Sequence, residues 1–190
     1  MNLPNKLTII RILMIPVFVA LFFITAIPFN YVLSAVVFAL AAFTDFLDGY
    51  IARKYNLVTN LGKFLDPIAD KVLVSTALIV MLVAGANGVL ILPFYGAIAV
   101  AIILARELIV SGFRMVAASK GAVIAADKSG KIKTFITDIA IVVLLVGADI
   151  TPTLYGTVNL IGLILLGIAT VLTIISGAEC IIKNRAVLKD

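Results

Sequence analysis

Six apolar stretches, each near the ~20 residues that cross a bilayer as a helix, take up most of this sequence. They cover roughly 7–27, 31–53, 62–84, 92–117, 131–148 and 156–182, with ends good to a few residues. The breaks carry turn chemistry: "IPFN" near 28, "AGANG" at 84–88, "ASKGAVIAADKSGK" at 118–131 and "ADITPTLYG" at 148–156. Charged residues make up 13% of the chain, about half the share of a soluble domain. The pattern predicts an all-α integral membrane protein of six transmembrane helices, as a single domain over residues 1–190. The first stretch holds Arg11 and no clean small-residue cleavage site, so it reads as a retained span and not a removed signal peptide.

Basic residues set the expected orientation. Lys6 and Arg11 lie in or beside the N-terminus; Arg53, Lys54 and Lys63 flank the second break. Lys120, Lys128, Lys131 and Lys133 fill the fourth, and Lys183, Arg185 and Lys189 follow the last span. The other three breaks contain none. Six spans with both termini in the cytoplasm put all of this charge on one side. That predicts a cell-membrane protein with a cytoplasm-facing polar active-site cavity, its formal charge of +5 turned toward anionic lipids and metabolites.

Against this background stands "DFLDGYIARKYNLVTNLGKFLDPIAD", which runs from Asp45 to Asp70. At about 100° per residue, Asp45, Asp48, Gly49 and Ala52 share one helix face. Gly62, Asp66 and Asp70 share a face of the next helix, with Pro67 tolerable in or near its first turn. The short connection makes the two helices neighbours whose carboxylate faces can meet. At membrane depth each ion costs about 2.5–3.5 kcal/mol even on the lenient scale, so protonation or a bound cation must relieve the repulsion. The chain has no histidine and a single cysteine, Cys180. Oxygen-only ligands select a hard divalent ion, Mg²⁺ or Mn²⁺, and four carboxylates can neutralise two. The small residues leave room for a bulky anionic group, and Arg53 offers a fork for phosphate oxygens. Read singly, the aspartates can instead pair with Lys63 or Lys71 or line an ion pathway. Lys71, pointing about 100° from Asp70, reads as a topology or headgroup residue.

The spaced pattern Asp45-x2-Asp48-Gly49-x2-Ala52-Arg53-x8-Gly62-x3-Asp66-x3-Asp70 resembles the signature of the CDP-alcohol phosphatidyltransferases, with every fixed position matched. The resemblance extends to the six-span architecture. It implies that Asp45, Asp48, Asp66 and Asp70 hold two divalent ions, that Asp70 is also the catalytic base, and that Gly49, Ala52 and Arg53 bind CDP-diacylglycerol. It also implies a homodimer, although no GxxxG motif occurs.

The motif leaves the acceptor open. "ARELIVSGFRMVAASKGAVIAADKSGKIKT", residues 105–134, places Arg106 inside the fourth span, Arg114 two turns later, and Lys131 and Lys133 at the start of the fifth. An intramembrane arginine needs a cavity or a partner. Glu107 is adjacent in sequence and is expected to point elsewhere. A basic pocket suits an acceptor that carries phosphate. This stretch and "NLPNKLTIIRILMIPVF" resemble one subgroup, the phosphatidylglycerophosphate synthases, which implies sn-glycerol 3-phosphate held by Arg106, Arg114, Lys131 and Lys133. The rival readings are another acceptor on the same fold, such as inositol phosphate, and a divalent-cation transporter. A transporter would carry its acids near mid-membrane on broken helices of two related halves. Thr8 and Arg11 edge the cavity or serve capping and topology; Asp138 and Glu179 carry no assignment.

Overall fold

In the computed structural model, which describes residues 3–54, 60–83, 91–120, 128–150 and 152–185, the apolar runs become six helices. These are α1 (Leu3–Phe23), α2 (Asn30–Lys54), α3 (Asn60–Val83), α4 (Phe94–Ser119), α5 (Lys128–Ala148) and α6 (Pro152–Lys183). No strand occurs among the described residues. Parts of α1, α4 and α6 are long and apolar enough to cross a membrane: Lys6–Phe23, Phe94–Ser119 and Gly156–Lys183. The helix starts follow local chemistry. Pro152 opens α6, where its missing N–H and fixed φ are harmless, and Phe29, at φ 58°, makes the left-handed turn into α2. Because α3 begins at Asn60, Pro67 lies in its second turn and not its first.

Contacts at one end of the bundle align the helices. Asp149, just past α5, accepts a hydrogen bond from the Val32 N–H at 2.7 Å. That carboxylate meets the open, partly positive N-terminus of α2. Asn30 Nδ2 donates to the Phe22 carbonyl (2.9 Å), and Asn159 Nδ2 of α6 donates to the Ile91 carbonyl just before α4 (3.0 Å). Thus α2, α4 and α6 start where α1 and α5 end, and the basic residues gather at the far end.

The core is aromatic between α1 and α2 and aliphatic elsewhere. Phe18 and Phe38 approach to 6.1 Å, and Phe22 meets Tyr31 edge-on at 5.1 Å. Leu73 and Met81 of α3, Ile141 and Leu144 of α5, and Leu166 of α6 complete it. Helices α5 and α6 pack closely because Gly162 carries no side chain: a Cβ there would lie 2.6 Å from Leu144 Cγ. The outward faces are aliphatic, with Leu108, Met115, Ile164 and Val171 exposed, as lipid-facing helices require.

Candidate active site

Counted from the end tied by Asp149, at 1.5 Å per residue, Asp45, Asp70, Arg106 and Lys133 all stand about 18–23 Å along their helices. Four helices therefore bring charge to one level of an otherwise apolar bundle. Asp70, Lys71, Glu107, Lys133, Thr137 and Thr173 line a partly open cavity of about 30 Å³ there.

The acidic side of this level is held by α1. Arg11 is fully buried, and its Nη1 lies 2.7 Å from Asp45 Oδ1. Thr8, one turn earlier, is buried too. The sequence leaves the role of Arg11 open, and the structure gives it a partner in Asp45. The rule applied to Arg106, that a charge inside a span needs a partner, would have found it. Asp138 of α5 lies within electrostatic reach of Asp70 and Asp45. Its Oδ1 is buried without a hydrogen bond.

The basic side corrects two expectations. Glu107 does not point away from Arg106: its Oε1 accepts from Arg106 Nη1 at 3.2 Å and pairs with Lys133 Nζ. Adjacent Cβ atoms diverge on a helix, but the long arginine and glutamate side chains bend back to meet. Nor does Lys71 face the headgroups. Its Nζ donates to Ser111 Oγ at 2.5 Å, and Ser111 donates to the Glu107 carbonyl at 2.5 Å. Arg106 is further fixed by α6, where Ser176 Oγ accepts from its Nη2 at 2.9 Å. A Cβ on Gly177 would lie 2.9 Å from Arg106 Cγ, so the arginine stem runs over that glycine.

The other expected residues are placed as follows. Lys133 is buried at 5% exposure, whereas Lys131 is exposed and stands apart from the cavity lining. Arg114 is half-buried two turns beyond Arg106, its Nε without a hydrogen bond. Asp48, Gly49, Ala52 and Arg53 continue the α2 backbone and Asp66 that of α3, but their side chains lie outside the described residues. Glu179 pairs with Lys183 one turn on, at 3.8 Å, and Cys180 packs against Val110 and Phe113.

Among the described residues no three metal-ligating side chains cluster. The two described members of the aspartate set nonetheless fit a hard cation. Asp45 and Asp70 present carboxylate oxygen alone and face each other closely enough to interact. One side of the site thus suits cations and the other suits an anion.

The full chain can be compared with known proteins on this footing. The family model for CDP-alcohol phosphatidyltransferase matches residues 1–175. The chain belongs to the CDP-alcohol phosphatidyltransferase family. It is 45% identical over 176 residues to a Rickettsia bellii protein named CDP-diacylglycerol–glycerol-3-phosphate 3-phosphatidyltransferase, covering 93% of this chain and 91% of that one. Proteins of the same name from Bacillus subtilis and Shigella flexneri serotype 5b are 39% and 36% identical. They cover 99% and 100% of this chain, and 97% and 98% of their own. Membership of this phosphatidyltransferase family gives the aspartate-bearing helices α2 and α3 their context.

Proposed function

We propose that this chain is a membrane enzyme that transfers the phosphatidyl group of CDP-diacylglycerol to sn-glycerol 3-phosphate, forming phosphatidylglycerophosphate and CMP. The observation that carries the reading is a cavity lined by Asp70, Lys133 and Glu107, with Arg106 bound to Glu107. That cavity sets the Asp70 carboxylate beside basic side chains, in a family whose relatives bear that activity in their names.

In this reading Asp45, Asp48, Asp66 and Asp70 hold two divalent ions, Mg²⁺ or Mn²⁺. Bound there, such ions would neutralise diphosphate oxygens and ease departure of the leaving phosphate. Asp70 accepts the proton of the acceptor's primary hydroxyl as its oxygen attacks the phosphorus bearing diacylglycerol. The bond from that phosphorus to the CMP oxygen breaks, and CMP leaves. Gly49 and Ala52 leave space for the cytidine nucleotide on α2, and Arg53 binds donor phosphate oxygens. Arg106, Arg114 and Lys133 hold the acceptor phosphate through charge-assisted contacts, and Lys131 adds positive charge at the exposed start of α5. Arg11 keeps Asp45 oriented by direct contact. The protein works as a homodimer in the cytoplasmic membrane, with its termini and site on the cytoplasmic side.

The test is an acceptor panel. Purified protein receives CDP-diacylglycerol with glycerol 3-phosphate, inositol phosphate, serine or glycerol, and CMP release and the lipid product are followed. Glycerol 3-phosphate should be used best, giving phosphatidylglycerophosphate. Preference for inositol phosphate would reassign the acceptor while keeping the chemistry; no CMP release with any alcohol would end the reading.

A further inference from the structure

We infer that Glu107 is the positioning residue of the acceptor site, its carboxylate holding Arg106 and Lys133 ready for the incoming phosphate. The inference rests on the reading that those two cations bind that phosphate, and it assigns the residue that sets them.

The two cations come from different helices, α4 and α5, and among the described residues only Glu107 pairs with both. Lys133 is 5% exposed. An ammonium group in so dry a place is unfavourable without a counter-charge, and a guanidinium nearby repels it. One shared Glu107 oxygen relieves both effects and fixes the separation of the cations. Two cations against one carboxylate leave the cluster net positive, so it still attracts an anion.

Glu107 is itself anchored. Its carbonyl accepts from Ser111, which takes a hydrogen bond from Lys71 of α3, and Ser176 of α6 steadies the far side of Arg106. Residues of four helices, α3 to α6, thereby join one hydrogen-bonded network around Glu107. A phosphate entering such a site finds its donors already placed, which lowers the ordering cost of binding. The opposite role is a placeholder carboxylate that the phosphate must displace. It predicts the opposite sign on removal and is an outcome of the test.

The experiment is steady-state kinetics of the full chain in lipid vesicles, with each substrate varied separately. Glu107→Gln should raise the KM for glycerol 3-phosphate about tenfold, the loss of roughly one charge-assisted contact. The KM for CDP-diacylglycerol and the kcat should stay within about twofold. Glu107→Asp, which keeps the charge on a shorter stem, should fall between. The deciding comparison adds Glu107→Gln to an Arg106→Gln, Lys133→Gln background. There the carboxylate has lost both cations and only repels phosphate, so its removal should improve glycerol 3-phosphate use a few-fold. A purely structural glutamate would make that background worse, which overturns the inference. So would an unchanged or lowered KM in Glu107→Gln when Arg106→Gln raises it. If Arg106→Gln itself leaves the KM unchanged, the acceptor-site reading fails and the inference falls with it.

Discussion

Arg11 of α1 and Asp45 of α2 form an ion pair at 2.7 Å in which the arginine is wholly buried and the aspartate 42% exposed. The pair ties the first helix to the first aspartate of the motif. It also explains why a charge can stand inside an apolar span: its partner is a carboxylate.

Arg11→Gln should therefore loosen the bundle and the site together. Removing one partner of a buried charge-assisted contact costs about 1–3 kcal/mol, and the exposure of Asp45 keeps the value toward the low end. Thermal unfolding in detergent should fall by a few degrees, with turnover reduced. Arg11→Lys should recover part of both. Unchanged stability and turnover in Arg11→Gln would remove Arg11 from the site.

Asp70→Asn should abolish turnover while leaving the helical content and unfolding temperature close to those of the parent. The substitution removes the proposed base and a metal ligand but keeps the side-chain volume at the cavity wall. CMP release near the parent rate from well-folded Asp70→Asn protein would refute the assignment.

Chelation should inactivate the enzyme, and Mg²⁺ or Mn²⁺ should restore it, because the expected ligands are all oxygen. A rise in unfolding temperature on adding the ion, lost in Asp45→Asn, would report binding independently of turnover. Full activity in thoroughly chelated buffer would contradict the two-ion centre.

Gly177→Ala should disturb Arg106 without touching charge. The added methyl would lie 2.9 Å from Arg106 Cγ and 3.2 Å from Nε, both on the inner part of the side chain. The stem must shift, so the KM for glycerol 3-phosphate should rise several-fold, by about 1 kcal/mol of lost contact. Donor KM should change little. An unaltered acceptor KM would mean that Arg106 tolerates the displacement and is not finely placed.

Much of this was legible in the sequence because helix geometry carries one-dimensional information. The length of the apolar runs foretells α1 to α6, and the lack of basic residues in three breaks foretells the end tied by Asp149 and Asn30. The stripe that a 3.6-residue period draws through Asp45 falls on Asp48, Gly49 and Ala52, whose side chains lie outside the described residues. What stayed hidden depends on side chains crossing between helices. Lys71 lies about 100° from Asp70 on a helical wheel, yet it reaches Ser111 on α4 because α3 presents that flank to the bundle. Glu107 looks averted from Arg106 when only Cβ directions are counted, and the long side chains close the gap. Lys131 and Lys133 are equivalent by composition, and only the rotation of α5 buries one and exposes the other.

The most direct test of the account compares glycerol 3-phosphate with plain glycerol as acceptors for the parent enzyme and for Arg106→Gln. Arg106 is braced by Glu107 and Ser176, so the substitution removes an oriented cation and leaves its supports in place. If Arg106 binds the acceptor phosphate, kcat/KM for glycerol 3-phosphate should fall about tenfold to hundredfold, equivalent to roughly 1.5–3 kcal/mol. The value for glycerol, which has no phosphate to lose, should stay within about twofold. Equal losses with both acceptors would show that Arg106 supports the bundle rather than the phosphate, and would contradict the account.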